Sequence, residues 1–201
     1  DTDGNDIEME DERLYGSENR IWISLEDIPI HVQNAFVAIE DHRFFEHAGV
    51  DMKRTAGAVL SFVTPSAKAY GGSTITQQLI KNNVLTEWVY ESSFIESLQR
   101  KIQEQYLAIQ LEKQVNDKDW ILENYMNSIN LGSNTLGVQA ASTRYFGKDV
   151  SELTLSESAV IASITQNPTR YNPITRPEDN AKRREKVLKD MLRQDYITQE
   201  E

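Results

Sequence analysis

Phe94-Ile95-Glu96-Ser97-Leu98-Gln99-Arg100-Lys101-Ile102-Gln103-Glu104-Gln105-Tyr106-Leu107-Ala108-Ile109 sets the fold class. Ile95, Leu98, Ile102, Tyr106 and Ile109 fall three or four positions apart, so they line one stripe of an α-helix predicted over about 94–114. A half-buried strand would need apolar residues at every second position, and that alternation is weak throughout the chain. Toward the N-terminus a helix is predicted to start near Ser73 and another to span about 51–63. Ile28, Val32, Ala35, Phe36 and Ile39 keep helical spacing up to Glu40. Toward the C-terminus, Ile121, Leu122, Tyr125, Met126 and Ile129 mark a helix over about 118–130. Thr154-Leu155-Ser156-Glu157 is a capping box ahead of Ala159-Val160-Ile161-Ala162, and Pro168 closes that helix. Thr175-Arg176-Pro177-Glu178 repeats the capping pattern before a last helix to about 192, with Pro177 in its first turn. The predicted class is mostly α.

The 201 residues suffice for one domain with a substantial core, with room for two lobes. Charged residues make up 26% and apolar ones 39%, ordinary values for a folded domain. Of the net charge of −11, seven negative charges lie in the first twelve residues, which hold no base. Residues 1–20 are therefore predicted as an acidic, disordered arm. A duplex binder needs a broad basic surface to meet phosphates, so a nucleic-acid partner is not expected. Cysteine is absent, which excludes disulfides and thiolate metal sites. No stretch is long and apolar enough to span a bilayer.

Three segments have the residue types for chemistry. In Glu40-Asp41-His42-Arg43-Phe44-Phe45-Glu46-His47 a helix ends in two acids and enters an aromatic turn. Partial desolvation there would make a carboxylate a better base; a solvated helix end is the simpler alternative. His47 has no second histidine at ligand spacing, so zinc is not expected. Gly71-Gly72-Ser73-Thr74 precedes a helix that Ser73 or Thr74 can cap, and open N–H groups at its start would favour an anion. Gln77, Gln78 and Lys81 add amide donors and a cation within two turns. Arg100, Lys101 and Glu104 are neighbours at i,i+4 and i,i+3, which fits either a surface ion pair or a cationic clamp for a diphosphate.

These segments resemble, in order, the motifs of the peptidoglycan glycosyltransferases, glycosyltransferase family 51. The matching patterns are Glu40-Asp41-x-x-Phe44-x-x-His47-x-Gly49, Gly72-Ser73-Thr74-x-x-Gln77-Gln78 and Arg100-Lys101-x-x-Glu104. Lys118-x-x-Ile121-Leu122-Glu123-x-Tyr125-Met126-Asn127 follows, then Ala140-Ala141 through Tyr145-Phe146-Gly147-Lys148 and Leu155-x-Glu157-x-Ala159. Members occur as monofunctional enzymes or as the first catalytic domain of bifunctional penicillin-binding proteins.

The resemblance implies a lysozyme-like fold for residues 21–201, with a larger lobe and a smaller membrane-facing one. It implies polymerisation of lipid II into β-1,4 glycan strands, with inversion and release of undecaprenyl diphosphate. Glu40 would be the base and Glu104 the second catalytic carboxylate. Asp41, Phe44, His47, Ser73, Thr74, Gln77, Gln78, Lys81, Arg100 and Lys101 would bind substrate. The implied partners are lipid II, the growing strand, the outer leaflet and cell-wall synthesis proteins. The implied location is the extracytoplasmic face of a bacterial membrane, with an anchor outside this chain. No cofactor is required; a magnesium or manganese ion assisting the diphosphate is compatible. Glu123, Tyr125 and Asn127 are expected to hold helices together, and Tyr145-Phe146-Gly147 to form a packed turn. Ala56–Val63, flanked by Lys53, Arg54 and Lys68, is read, mainly on the resemblance, as an interfacial segment, with a buried core helix as the alternative. The link Asn82–Phe94 departs from the family in having Trp88 where a basic residue is usual. A lysozyme-like hydrolase and a non-catalytic scaffold are the competing readings; the cation cluster disfavours the first, because a hydrolase has no diphosphate to neutralise.

Overall fold

The computed structural model describes residues 19–63, 72–85 and 93–201, and in residues 19 and 58–63 the backbone alone. Residues 1–18 of the acidic arm, Gly71, Trp88 and the apolar side chains of Leu60 and Phe62 therefore lie outside the described residues, while Asn19 and Arg20, counted with that arm, form a short strand. Among the described residues the helices are α1 (Ile30–Glu40), α2 (Met52–Val63), α3 (Ile75–Asn83) and α4 (Phe94–Val115), then α5 (Lys118–Ser128), α6 (Val138–Phe146), α7 (Leu155–Ile164) and α8 (Pro177–Arg193). The one sheet there is a parallel pair, β1 (Asn19–Arg20) against β2 (Thr135–Leu136).

Two helix groups share the core. In one, α1, α7 and α8 pack mutually; in the other, α3 lies against both α4 and α5. Val32, Phe36, Tyr125, Met126, Ile161 and Met191 are fully buried between them. Phe36 meets Tyr125 edge-on at 6.4 Å, a favoured aromatic geometry that ties α1 to α5. The chain entering α1 is held by α5: Ile23 N–H donates to Asn127 Oδ1 at 2.9 Å and Leu25 N–H to Glu123 Oε2 at 2.8 Å. Asn127 thus fastens an extended segment to α5, and Glu123 fastens the start of a short 3-10 helix, Leu25–Asp27, to it.

Several helix ends match their sequence signals. Thr74, Ser93 and Thr154 each close a full capping box. Others differ. Arg176, without a side-chain cap, precedes α8, so Thr175 is no N-cap; Pro177 does occupy the first turn. Helix α7 ends at Ile164, four residues before Pro168. Tyr145-Phe146-Gly147 is the end of α6, a helix the periodicity did not indicate, and Gly147 (φ 68°) supplies its left-handed cap.

Helix α4 is inside out. Its apolar stripe faces solvent: Phe94 is 76% exposed, Ile95 66%, Leu98 49%, Ile102 61% and Tyr106 62%. Its buried positions are Glu104, Ala108 and Glu112. A buried carboxylate requires partners; Glu112 accepts from Thr76 Oγ1 at 2.6 Å and Lys118 Nζ at 2.7 Å. Gly49 (φ 86°) lets the turn after α1 reach this helix, because a Cβ there would sit 2.5 Å from the Ala108 carbonyl oxygen.

Candidate active site

Glu40 is the last residue of α1, half-buried, with both carboxylate oxygens engaged. Gln78 Nε2 donates to Oε2 at 2.8 Å and Thr165 Oγ1 donates to Oε1 at 2.5 Å. Gln78 is itself oriented from below, since Tyr125 O–H reaches its Oε1 at 3.4 Å. Tyr125 is wholly buried; desolvation, with the nearby charges of Glu40 and Asp41 adding to it, pushes its phenol well above the ordinary range.

Asp41 is fully buried. Its Oδ2 accepts from His47 Nε2 at 2.9 Å and from the Ile75 N–H at 3.0 Å, and its Oδ1 from Arg54 Nη1 at 3.2 Å. Arg54 Nη1 also donates to the Glu40 carbonyl at 2.6 Å. An N–H at the start of α3, expected from sequence to be open to an anion, is therefore occupied by Asp41. Thr74 and Gln77 complete that helix start reciprocally, and Thr74 Oγ1 donates to the Gly49 carbonyl at 2.6 Å. Both are buried, so they shape the site from behind. Phe44 is fully buried too, edge-on to Phe45 at 5.0 Å and His47 at 6.3 Å, with Lys118 Nζ 4.4 Å from its ring centroid. Its place is packing, with no surface for a substrate.

The second cluster lies across α3. Glu104 is fully buried and both oxygens are taken: Arg100 donates to Oε1, and Lys101 Nζ donates to Oε2 at 2.5 Å. Lys101 Nζ also donates to Ser73 Oγ at 2.9 Å. Helix α3 and its entry thus have Ser73 toward the cations and Gln78 toward Glu40. Two extended residues and one helical turn separate these positions, at most roughly 12 Å of backbone. Lys81 is half-buried in the following turn.

No group of three His, Cys, Asp or Glu among the described residues is placed to hold a metal ion. A cavity of about 460 Å³ is lined by Asn130, Ser133, Asn134, Thr169, Asn172 and neighbours, none of them charged. Amides and hydroxyls of this kind suit neutral polyhydroxyl ligands.

The family model described as Transglycosylase matches residues 7–192. This chain belongs to that family. The transglycosylase domain is an enzyme of the peptidoglycan glycosyltransferase class. Penicillin-binding protein 1A of Clostridium botulinum (strain Hall) is 47% identical over 197 residues, covering 94% of this chain and 23% of that protein. Penicillin-binding protein 1F of Bacillus subtilis is 44% identical over 188 residues, covering 94% of this chain and 25% of that protein. The crystal structure of penicillin-binding protein 1A from Haemophilus influenzae matches the transglycosylase domain with a TM-score of 0.53 at 28% identity, over 92% of this chain and 17% of that one. The domain thus spans about a quarter of the length of these curated relatives.

Apart from the packed Phe44 and the half-buried Lys81, the site residues singled out from sequence fall into three places. Glu40 with Gln78, and Ser73 with Lys101, Arg100 and Glu104, form the two polar clusters. Asp41, His47, Thr74 and Gln77 form the scaffold joining them. Thr165 was missed: it lies 125 positions from Glu40, in no motif, and only the packing of α7 on α1 brings it there.

Proposed function

We propose that this domain polymerises lipid II, transferring the growing strand from its undecaprenyl diphosphate to the 4-hydroxyl of an acceptor with inversion. The observation supporting this is the pairing of a two-point-held carboxylate, Glu40, with a separate Arg100–Lys101–Glu104 cation cluster. A sugar hydroxyl is a poor nucleophile. A carboxylate that removes its proton in the transition state accelerates attack by roughly 10²–10⁴-fold. Glu40 is that base. As the anomeric bond breaks, charge grows on the diphosphate, and Arg100 and Lys101 are the cations that meet it. Glu104 holds both beforehand, so little reorganisation is needed. Ser73 fixes the Lys101 ammonium from the α3 side. The uncharged cavity beside Pro168 and Thr169 takes the neutral sugars of the strand.

The apolar stripe of α4 is the surface we assign to the membrane. Lipid II keeps its tail in the bilayer, and a helix exposing Phe94, Ile95, Leu98, Ile102 and Tyr106 next to the cation cluster suits interfacial seating. On this reading the domain works at the extracytoplasmic face. Among the described residues no helix is long and apolar enough to cross a membrane. A divalent ion, where one assists, belongs to the substrate's diphosphate.

The test is incubation with labelled lipid II in detergent and in vesicles, with Glu40→Gln alongside. Polymer from the parent chain and a rate roughly 10²–10⁴-fold lower from the variant, at equal melting temperature, is the expected result. Equal polymer from both removes Glu40 as the base.

A further inference from the structure

Thr165 closes α7 and contacts α1 from the far side of the site. Its Oγ1 lies 2.5 Å from Glu40 Oε1 and 2.9 Å from the Ala162 carbonyl oxygen. A threonine hydroxyl has one hydrogen and two lone pairs. It donates to one of these oxygens at a time. While Glu40 is anionic the hydrogen goes to the carboxylate, because a charge-assisted bond is roughly twice as strong as a neutral one. Once Glu40 has taken a proton, the carboxyl becomes a donor. Thr165 then accepts through a lone pair and turns its hydrogen to Ala162.

We propose that Thr165 is a positioning residue for the Glu40 base, a hydroxyl rotor that holds the carboxyl group in one orientation in both protonation states. The proposal rests on the assignment of Glu40 as base. Gln78 alone anchors one oxygen and leaves the carboxylate free to swing about that bond. A second donor on the other oxygen, from a different helix, fixes its plane. The Gln78 amide cannot take over the second state: with Oε1 turned to Tyr125 O–H, only its Nε2 faces Glu40. In the transfer step the acceptor hydroxyl gives its proton to Glu40 as the new glycosidic bond forms and the diphosphate leaves. That proton later passes from Glu40 to solvent. Thr165 reorients its own hydrogen and neither gains nor loses one.

The experiment compares Thr165→Val, Thr165→Ser, Glu40→Gln and the Glu40→Gln/Thr165→Val pair in the 201-residue chain, with labelled lipid II as substrate. Valine keeps the shape and removes the hydroxyl; serine restores it. The expected outcome is a kcat about tenfold lower for valine, the loss corresponding to one orienting hydrogen bond, with KM within about twofold. Serine restores kcat to within about threefold of the parent, and valine costs nothing further on the glutamine background. Thr165→Ala serves the same arm if valine lowers the melting temperature. Parent-like kcat in both valine and alanine variants overturns the proposal, as does a serine variant no better than valine. Polymerisation by Glu40→Gln at the parent rate instead overturns the base assignment itself, and is read independently of the Thr165 arms.

Discussion

Replacing Asp41 tests the scaffold of the site most directly. The carboxylate is fully buried and receives a histidine, a guanidinium and a backbone N–H from three separate elements. Asparagine keeps the volume. With its oxygen at the Oδ2 position it still serves His47 and Ile75, but its NH₂ then faces the Arg54 guanidinium. One charge-assisted bond is lost and a donor meets a donor, which costs about 2–3 kcal/mol. Alanine strips all three partners, and removing one side of a buried pair costs about 3–5 kcal/mol. Against a typical domain stability of roughly 5–15 kcal/mol these are large fractions. For a domain of this size the asparagine change corresponds to a melting shift of about 4–12 °C. Urea unfolding followed by circular dichroism gives the number, with an unchanged m-value showing that the loss is in stability alone. Activity should fall more steeply than stability, since Glu40 is the adjacent residue. An alanine variant destabilised by less than about 1 kcal/mol would mean that water or a repacked His47 replaces the carboxylate, and the reasoning fails.

Three further outcomes follow from other parts of the fold. Gly49→Ala should cost about 2–4 kcal/mol in urea unfolding, because the new Cβ meets the Ala108 backbone in a left-handed conformation; a neutral change would show that α4 slides away freely. Tyr125 has its phenol raised by burial and by the Glu40 and Asp41 charges, so its contribution is complete below the unfolded value near 10 and is lost as pH rises toward the folded one. Thermal melts of Tyr125→Phe should therefore decline less between pH 9 and pH 11 than those of the parent; parallel curves count against it. Leu98→Asp with Ile102→Asp should reduce sedimentation with phospholipid vesicles and leave the melting temperature within about 2 °C, as expected for exposed positions; undiminished binding removes the α4 stripe from the membrane reading.

Much of the helical layout was legible because periodicity and capping are local. The Thr154 box names its own N-cap and its own reciprocal partner three residues on. Arg100, Lys101 and Glu104 were legible as a cluster for the same reason, being one turn apart. Direction was less legible. A 3.6-residue stripe shows that a helix has two faces, but not which one the rest of the chain covers. In α4 the covered face holds Glu104, paired with Arg100 and Lys101, and Glu112, paired with Lys118 and hydrogen-bonded by Thr76. The anion at the start of α3 was likewise hidden, because Asp41 lies 34 positions from Ile75. Thr165 gave no signal, since its role depends wholly on how α7 lies against α1.

The grip on Glu40 also orders events while the chain is being made. Within the domain one of the two donors to its carboxylate follows 125 positions later, and Gln194 Nε2, which donates to the nearby Ala38 carbonyl, follows Ala38 by 156 positions. Loops of that span close late, after local helices have formed. A nascent chain that has made Glu40, the Ser73–Gln78 segment and the Arg100–Glu104 cluster but not α7 and α8 has the chemical groups without their orientation. The site is thereby assembled by completion of the domain, and a prematurely terminated product is left with an acid and no aim.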